Sequence, residues 1–203
     1  VLRKRALVGD AAAHVTLVGV ATAFAVTGRR DLPTLLTGGF IAALVGLLAL
    51  VLVRRWTRTR DDAATAIVLS VGFGGGIALV AGMTARGIPG SAGLENFLLG
   101  HTAALTARDA AVLAGVSLAT VAVVMLLLKE ATLVAFDRSF AAAAGWPVTV
   151  LDYVLVMLVA VMVVVGLPAA GAVLVTALVV IPPVAARQWT DRLGTMLVLA
   201  GLI

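Results

Sequence analysis

Hydrophobic residues in this chain occur in long runs that are separated by short clusters of charged residues. Six runs are complete, and their lengths of roughly 20 residues match what a helix needs to cross the hydrocarbon core of a bilayer. They cover residues 6–26, 32–53, 63–83, 110–128, 150–166 and 169–186, and a seventh begins near Leu193. Because hydrocarbon offers no partner for backbone polar groups, each run is predicted to be a helix. The pattern predicts an all-α, polytopic transmembrane helix bundle of six to seven spans.

The composition agrees with a membrane protein. Of the 203 residues, 62% are hydrophobic and 12% are charged, and the mean hydropathy is +1.16. A soluble domain carries roughly twice that share of charged residues, so soluble enzymes and nucleic-acid-binding modules are excluded. The sequence has no cysteine, which excludes disulfides, thiolate metal sites and cysteine nucleophiles. We interpret residues 1–203 as a single transmembrane domain, and its start at Val1 and its apolar end predict that terminal helices are missing at both ends.

Lysine and arginine are distributed unevenly between the two sets of alternating loops. Eleven of the 15 fall in one set and four in the other, and the positive-inside rule places the richer set in the cytoplasm. The net charge of +5 is therefore interpreted as an orientation signal rather than as the sign of a nucleic-acid partner. The richer set is Arg3, Lys4, Arg5, Arg54, Arg55, Arg58, Arg60, Lys129, Arg138, Arg187 and Arg192, and the other set is Arg29, Arg30, Arg86 and Arg108.

Two connections are longer than a turn requires. The outer connection, residues 84–109, is half apolar, and we expect it to fold back as a short amphipathic helix at the interface. The inner connection, residues 129–148, is predicted to contain a short helix that Gly145 and Pro147 end. A short cytoplasmic helix between spans can be a plain linker or a docking element.

Glycine and proline inside the runs predict local packing. Gly72 and Gly76 have the small-xxx-small spacing that lets two helices approach closely. The surrounding glycines do not complete a dinucleotide-binding fingerprint, and they follow no strand. Pro168, between the fifth and sixth runs, is interpreted as a tight outer turn.

Asp10 and His14 are ionisable residues inside a predicted span, where such groups are costly and usually functional. Their i, i+4 spacing places both side chains on one helix face, about one turn apart. A carboxylate and an imidazole that converge in this way can share a divalent transition metal. The alternative is an Asp–His hydrogen bond near the cytoplasmic end that only fixes helix packing. His101, in the outer connection, is interpreted as an interfacial histidine rather than a ligand.

Four segments together resemble the zinc/manganese-type ABC importer permeases. Residues 7–15 (LVGDAAAHV) are similar to the family signature G-D-A-x-S-H, and residues 171–183 (GAVLVTALVVIPP) to its run G-v-L-L-v-s-A-L-L-v-I-P. Residues 136–147 (FDRSFAAAAGWP) resemble its cytoplasmic coupling loop, and residues 95–100 (ENFLLG) an outer stretch. The segments follow the family's order and fall on compatible sides of the membrane. Ala13 departs from the signature, because the family usually has serine there.

The resemblance implies a type II ABC importer-like fold and a permease that imports manganese, zinc or iron ions as a homodimer. Its expected partners are two cytoplasmic ATPase subunits and an extracytoplasmic metal-binding protein, in a bacterial cytoplasmic membrane. Asp10 and His14 match the family's proposed ligands. One chain supplies too few ligands to hold a metal, whereas two copies supply two carboxylates and two imidazoles. The metal ion is cargo, and no permanently bound cofactor is expected.

Coupling to the ATPase is expected at five positions of the inner connection, where the short helix would dock in a groove of the partner. The sequence has no P-loop, so we expect no catalytic residues in this chain. Two other functions stay open, which are a siderophore/cobalamin-type permease and a proton-coupled secondary carrier. The five coupling positions are Phe136, Asp137, Phe140, Ala143 and Gly145.

Overall fold

A computed structural model describes residues 6–57, 60–136, 138–190 and 192–203. The described residues are helical apart from their connections, which confirms the predicted all-α class. A single 3-10 turn, Thr102–Ala104, lies in the outer connection. The helices are α1 (Ala6–Thr27), α2 (Leu32–Trp56), α3 (Asp61–Ala85), α4 (Asn96–Leu99), α5 (Ala107–Leu126), α6 (Leu128–Phe136), α7 (Arg138–Ala143), α8 (Val148–Trp189) and α9 (Leu193–Leu202).

Helix α1 is the centre of the bundle and packs against α2, α3 and α8. In the membrane-spanning part of α1, 61% of the residues are buried inside the chain. The corresponding share for the peripheral helix α5 is 11%. Small side chains allow this enclosure, since Ala11, Ala12 and Ala13 are almost completely buried. A central helix that is shielded from lipid is the one that can carry polar side chains at low cost.

Glycines bring the neighbouring helices close to α1. Gly19 of α1 and Gly38 of α2 face each other so closely that a β-carbon on either would overlap the other's backbone carbonyl. On α3, a β-carbon at Gly72 would lie 2.5 Å from Cγ2 of Val15, and one at Gly76 would lie 2.7 Å from Cγ of Leu17. The prediction that Gly72 and Gly76 form a small packing face is confirmed.

Helix α8 is a hairpin of two spans. A straight helix of its 42 residues would be about 63 Å long, roughly twice the thickness of the hydrocarbon core. The helix breaks at Gly171, whose φ of 79° and ψ of 160° are not helical. The two arms, residues 148–170 and 172–189, return against each other, with Gly166 beside Val175. Together with α1, α2, α3 and α5, the arms account for six spans among the described residues, and α9 begins another.

The predicted turn at Pro168 was wrong by three residues. Pro168 stays within the helix, and the chain reverses at Gly171 because glycine adopts a positive φ without a steric penalty. The outer connection supplies the hydrogen bonds that the break would otherwise leave unmade. The backbone N–H of His101 donates to the carbonyl of Pro168 at 2.9 Å, and the Thr102 hydroxyl donates to the carbonyl of Ala169 at 3.1 Å.

The outer connection packs on the protein rather than lying free at an interface. Its short helix α4 buries Phe97 and Leu98, and Leu94 just before it is also buried. Gly100, with φ of 76°, rests directly on the backbone of Gly171. The expected short helix is therefore present, with Phe97 and Leu98 covered by the chain itself and Leu99 exposed.

The helix ends that the charge pattern assigns to the outside and those that it assigns to the cytoplasm lie at opposite ends of the bundle. The guanidinium of Arg30, at the start of α2, donates to the carbonyl of Ala92 in the outer connection at 3.2 Å. Asp31 caps α2 there, and the hydrogen bond from the Thr34 hydroxyl holds the pKa of this carboxyl below its usual range. At the opposite end, Arg54 and Asp152 line one cavity of about 560 Å³ between the end of α2 and the start of α8.

Candidate metal centre

Asp10 and His14 lie one turn apart on α1 and face the same way. The distance from Nε2 of His14 to Oδ1 of Asp10 is 3.6 Å, and the two side chains are 27% and 29% exposed. This separation is longer than a hydrogen bond, so the alternative of a packing hydrogen bond between them is not supported. Nε2 of His14 and Oδ1 of Asp10 are the atoms of the pair that approach each other, and both side chains are partly accessible.

The pair lies near mid-height of the bundle. Val15 packs against Gly46 of α2 and Gly72 of α3, and the ring of His14 meets the ring of Phe73 edge to face, with centroids 5.3 Å apart. These three partners are close to the middle of the 25-residue helices that carry them. The alternative interpretation put the pair near the cytoplasmic end, whereas its packing partners lie near the middle of their helices.

Thr176, in the second arm of α8, lies next to the pair and contacts Asp10. Its hydroxyl donates a hydrogen bond to Oδ1 of Asp10 at 3.1 Å, across 166 positions of sequence. Sequence reasoning did not single out this residue. The available signal was that Thr176 is the only polar residue in the run 171–183 and stands where the resembled family has a serine.

Between residues 9 and 22, helix α1 presents one accessible line of side chains. The buried residues on either side are packed against α2, α3 and α8. A β-carbon at Gly9, for example, would lie 3.8 Å from side-chain carbons of Val163 and Val179 in the α8 hairpin. The accessible line consists of Asp10, His14, Val18 and Thr22, and Ala25 continues it at the outer end, where neighbouring residues are exposed as well.

The described part of the chain holds no group of three or more histidine, cysteine or acidic residues that could enclose a metal ion. Nδ1 of His14 is buried and has no hydrogen-bond partner among the described residues. His101 lies exposed in the outer connection, where its backbone supports the α8 break. Asp10, His14 and Thr176 are thus the polar groups that the structure brings together here.

The inner connection presents part of the expected coupling surface. Phe140 is 60% exposed, and Ala143 and Gly145 are also exposed. Gly145 has φ of 82° just after α7, which confirms that it ends this helix. Ala141 is completely buried against Val134 and other residues of α6 and α8.

The side chains of two of the five coupling positions lie outside the described part of the chain. Asp137 lies outside the described residues, and the description of Phe136 is limited to its place at the end of α6. The exposed coupling positions in the described part are therefore Phe140, Ala143 and Gly145.

All 203 residues match the model of the ABC 3 transport family. The chain belongs to this family. It is 40% identical to the manganese transport system membrane protein MntC of Bacillus subtilis, over 99% of this chain and 46% of that protein. It is 38% identical to the zinc transport system membrane protein TroC of Treponema pallidum, over 100% of this chain and 68% of that protein.

A solved structure has the same fold as this ABC 3 family chain. PsaBC from Streptococcus pneumoniae, in complex with Fab, matches with a TM-score of 0.84 and 26% sequence identity, over 98% of this chain and 68% of that one. The chain spans about half the length of its B. subtilis relative. With at least five apolar helices of spanning length, it is a multi-pass protein of the bacterial cytoplasmic membrane.

Proposed function

We propose that this chain lines the translocation pathway of an ATP-driven importer of divalent transition metal ions. The observation that carries the proposal is the Asp10–His14 pair, held at mid-height in the bundle on a helix that contributes to its apolar core. Ionisable groups at this depth mark ion pathways. Relatives named for manganese and for zinc transport support the same class of cargo.

The ligand set fits transport rather than permanent binding. Imidazole and carboxylate both suit manganese(II), iron(II) and zinc(II), and thiolates that would hold zinc tightly are absent from the sequence. A transported ion must leave its site, so a few oxygen and nitrogen ligands without thiolate are suitable. The Thr176 hydrogen bond occupies only part of the acceptor capacity of the Asp10 carboxylate.

A second copy of the chain would complete the coordination. One chain offers one carboxylate and one imidazole, and a two-fold axis would double them to four ligands. The small residues Ala11, Ala12 and Ala13 are buried within their own chain, so they are not accessible to a second copy. The accessible line of α1 is the surface that remains for the partner, and it carries both proposed ligands.

The energy source is proposed to be a separate ATPase subunit on the cytoplasmic side. The sequence contains no P-loop, and α7 presents Phe140 and Ala143 on an exposed surface next to the first arm of α8. Movement of α7 by a docked partner would reach the metal site through this arm. Cargo delivery by an extracytoplasmic metal-binding protein belongs to the same proposal.

The decisive experiment is uptake of radioactive Mn²⁺ or Zn²⁺ by the full-length permease, assembled with its partner subunits in proteoliposomes. Asp10→Ala and His14→Ala should each reduce uptake to background while the protein still inserts and assembles. His101→Ala is the matched control, because it removes the other histidine of the chain from an exposed outer position. Parental uptake by His14→Ala would show that the pair is structural.

A further inference from the structure

Thr176 behaves differently from other threonines inside the helices. The hydroxyls of Thr16, Thr84 and Thr120 each donate to the backbone carbonyl four residues earlier, at 2.8 to 2.9 Å. This is the usual way for a helix to satisfy a threonine in an apolar setting. Thr176 instead donates to a carboxylate on another helix.

We propose that Thr176 is a positioning residue that orients the Asp10 carboxylate toward His14 and ties the metal site to the α8 hairpin. The inference rests on the proposed function, since it assigns a role at the same site. Oδ1 of Asp10 is the atom that accepts from Thr176 at 3.1 Å and that lies 3.6 Å from Nε2 of His14. One hydroxyl therefore sets the rotation of the carboxylate plane relative to the imidazole.

The position of Thr176 in α8 connects this hydrogen bond to movement of the second arm of the hairpin. It lies just over one turn beyond the break at Gly171, so it moves with the second arm as a unit. The break is held by the outer connection through the carbonyls of Pro168 and Ala169. A displacement of the second arm would draw the hydroxyl away from Asp10 and release the orientation of the carboxylate.

Groups that hydrogen-bond to a metal-ligating carboxylate are worth roughly 10- to 100-fold in metal affinity or activity. Thr176→Val removes the hydroxyl at nearly constant volume, so it should raise both the dissociation constant for Mn²⁺ and the KM for Mn²⁺ uptake by about 10- to 100-fold. Thr176→Ser keeps the hydroxyl and should stay close to the parental values.

Thr120→Val is the matched control. It removes a buried hydroxyl that bonds only within its own helix, and metal affinity should not change. The measurement uses the full-length permease with its partners, and it pairs uptake kinetics with a Mn²⁺ titration followed by electron paramagnetic resonance. Thr176→Ala carries the same test if the valine variant does not assemble.

The outcomes separate this inference from the proposed function. If Asp10→Ala abolishes uptake and Thr176→Val keeps parental affinity, the positioning role is overturned while the metal site stands. Equal losses in Thr176→Val and Thr176→Ser would also overturn it, because the hydroxyl would not be the group that matters. If Asp10→Ala itself transports normally, the proposed metal site fails, and the role of Thr176 fails with it.

Discussion

Alanine substitutions of the glycines in residues 72–76 of α3 should differ in their effect on stability, with two of them destabilising and two of them not. A β-carbon at Gly72 would lie 3.0 Å from the α-carbon of Val15, and one at Gly76 would lie 2.9 Å from the backbone nitrogen of Val18. At Gly74 and Gly75, a β-carbon would meet nothing within 4 Å. The same chemical change is thus made at four neighbouring positions, two against the backbone of α1 and two in open space.

The expected magnitudes follow from these distances. Carbon atoms pack at about 3.5 to 4.0 Å, so α3 must move from α1 by roughly 0.5 to 1 Å to admit the methyl group. Overpacking of this kind costs about 1 to 3 kcal/mol, whereas replacing a helical glycine by alanine gains about 0.5 to 1 kcal/mol. The gain from replacing a helical glycine by alanine is common to all four variants. The difference in unfolding free energy between the two crowded and the two open positions is therefore the packing cost alone, about 1 to 3 kcal/mol.

The displacement should also reach the proposed metal site. Val15, which blocks the new methyl group of Gly72→Ala, directly follows His14, and Phe73 is the ring that His14 contacts. We expect Gly72→Ala to lower metal affinity as well as stability. Gly74→Ala should leave affinity unchanged.

The assay is unfolding of the purified full-length permease in detergent by titration with sodium dodecyl sulfate, together with Mn²⁺ uptake. Val15→Ala removes the side chain that Gly72→Ala would strike, so a double-mutant cycle should show a favourable coupling between the two changes. If Gly72→Ala is as stable as Gly74→Ala, the helices are not packed at this distance and the reasoning fails.

Three further predictions test the topology, the coupling surface and the hairpin. Since the chain has no cysteine, single cysteines can report which side of the membrane a position faces. Thr57→Cys should react with an impermeant thiol reagent from the cytoplasm, and Ala103→Cys should react with it from the outside. Labelling of both from one side would contradict the orientation. Ala143→Arg should abolish transport-coupled ATP hydrolysis without lowering the yield of folded permease, and unchanged metal-stimulated hydrolysis would argue against docking there. Gly171→Ala should lower the melting temperature far more than Gly145→Ala. Both glycines have a positive φ, but of the two only Gly171 lies against the backbone of another segment, residues 99–100. Equal shifts in melting temperature would mean that this backbone contact is unimportant.

The spans and the proximity of Asp10 and His14 were predictable because their signals are local. Runs of apolar residues have the length of the bilayer, and Asp10 and His14 are conspicuous inside one of them. The break in α8 was misplaced because proline is the stronger local signal. Gly171 is one of 21 glycines in the sequence, and what distinguishes it is a contact with Gly100, which is far away in the chain.

The same limit explains why Thr176 was missed. Its partner lies 166 positions away, and no periodicity within one helix connects two such residues. The packing of Ala11, Ala12 and Ala13 within their own chain is hard to predict for a related reason. A stripe of small residues predicts close helix packing, but the sequence does not say whether the neighbouring helix comes from the same chain or from a partner.

The enclosure of α1 has a consequence for the charge of the cargo. Three sides of the helix are covered by α2, α3 and α8, and the ionisable residues lie on its one accessible line. An ionised carboxylate cannot face hydrocarbon without a large cost, so this line must border protein or a water-filled space. An imidazole that ligates a metal is neutral and a carboxylate that ligates one is ionised, so each metal-bound copy would contribute one negative charge, from Asp10. In the proposed dimer the two carboxylates sum to two negative charges, which a single divalent cation neutralises and a monovalent cation does not.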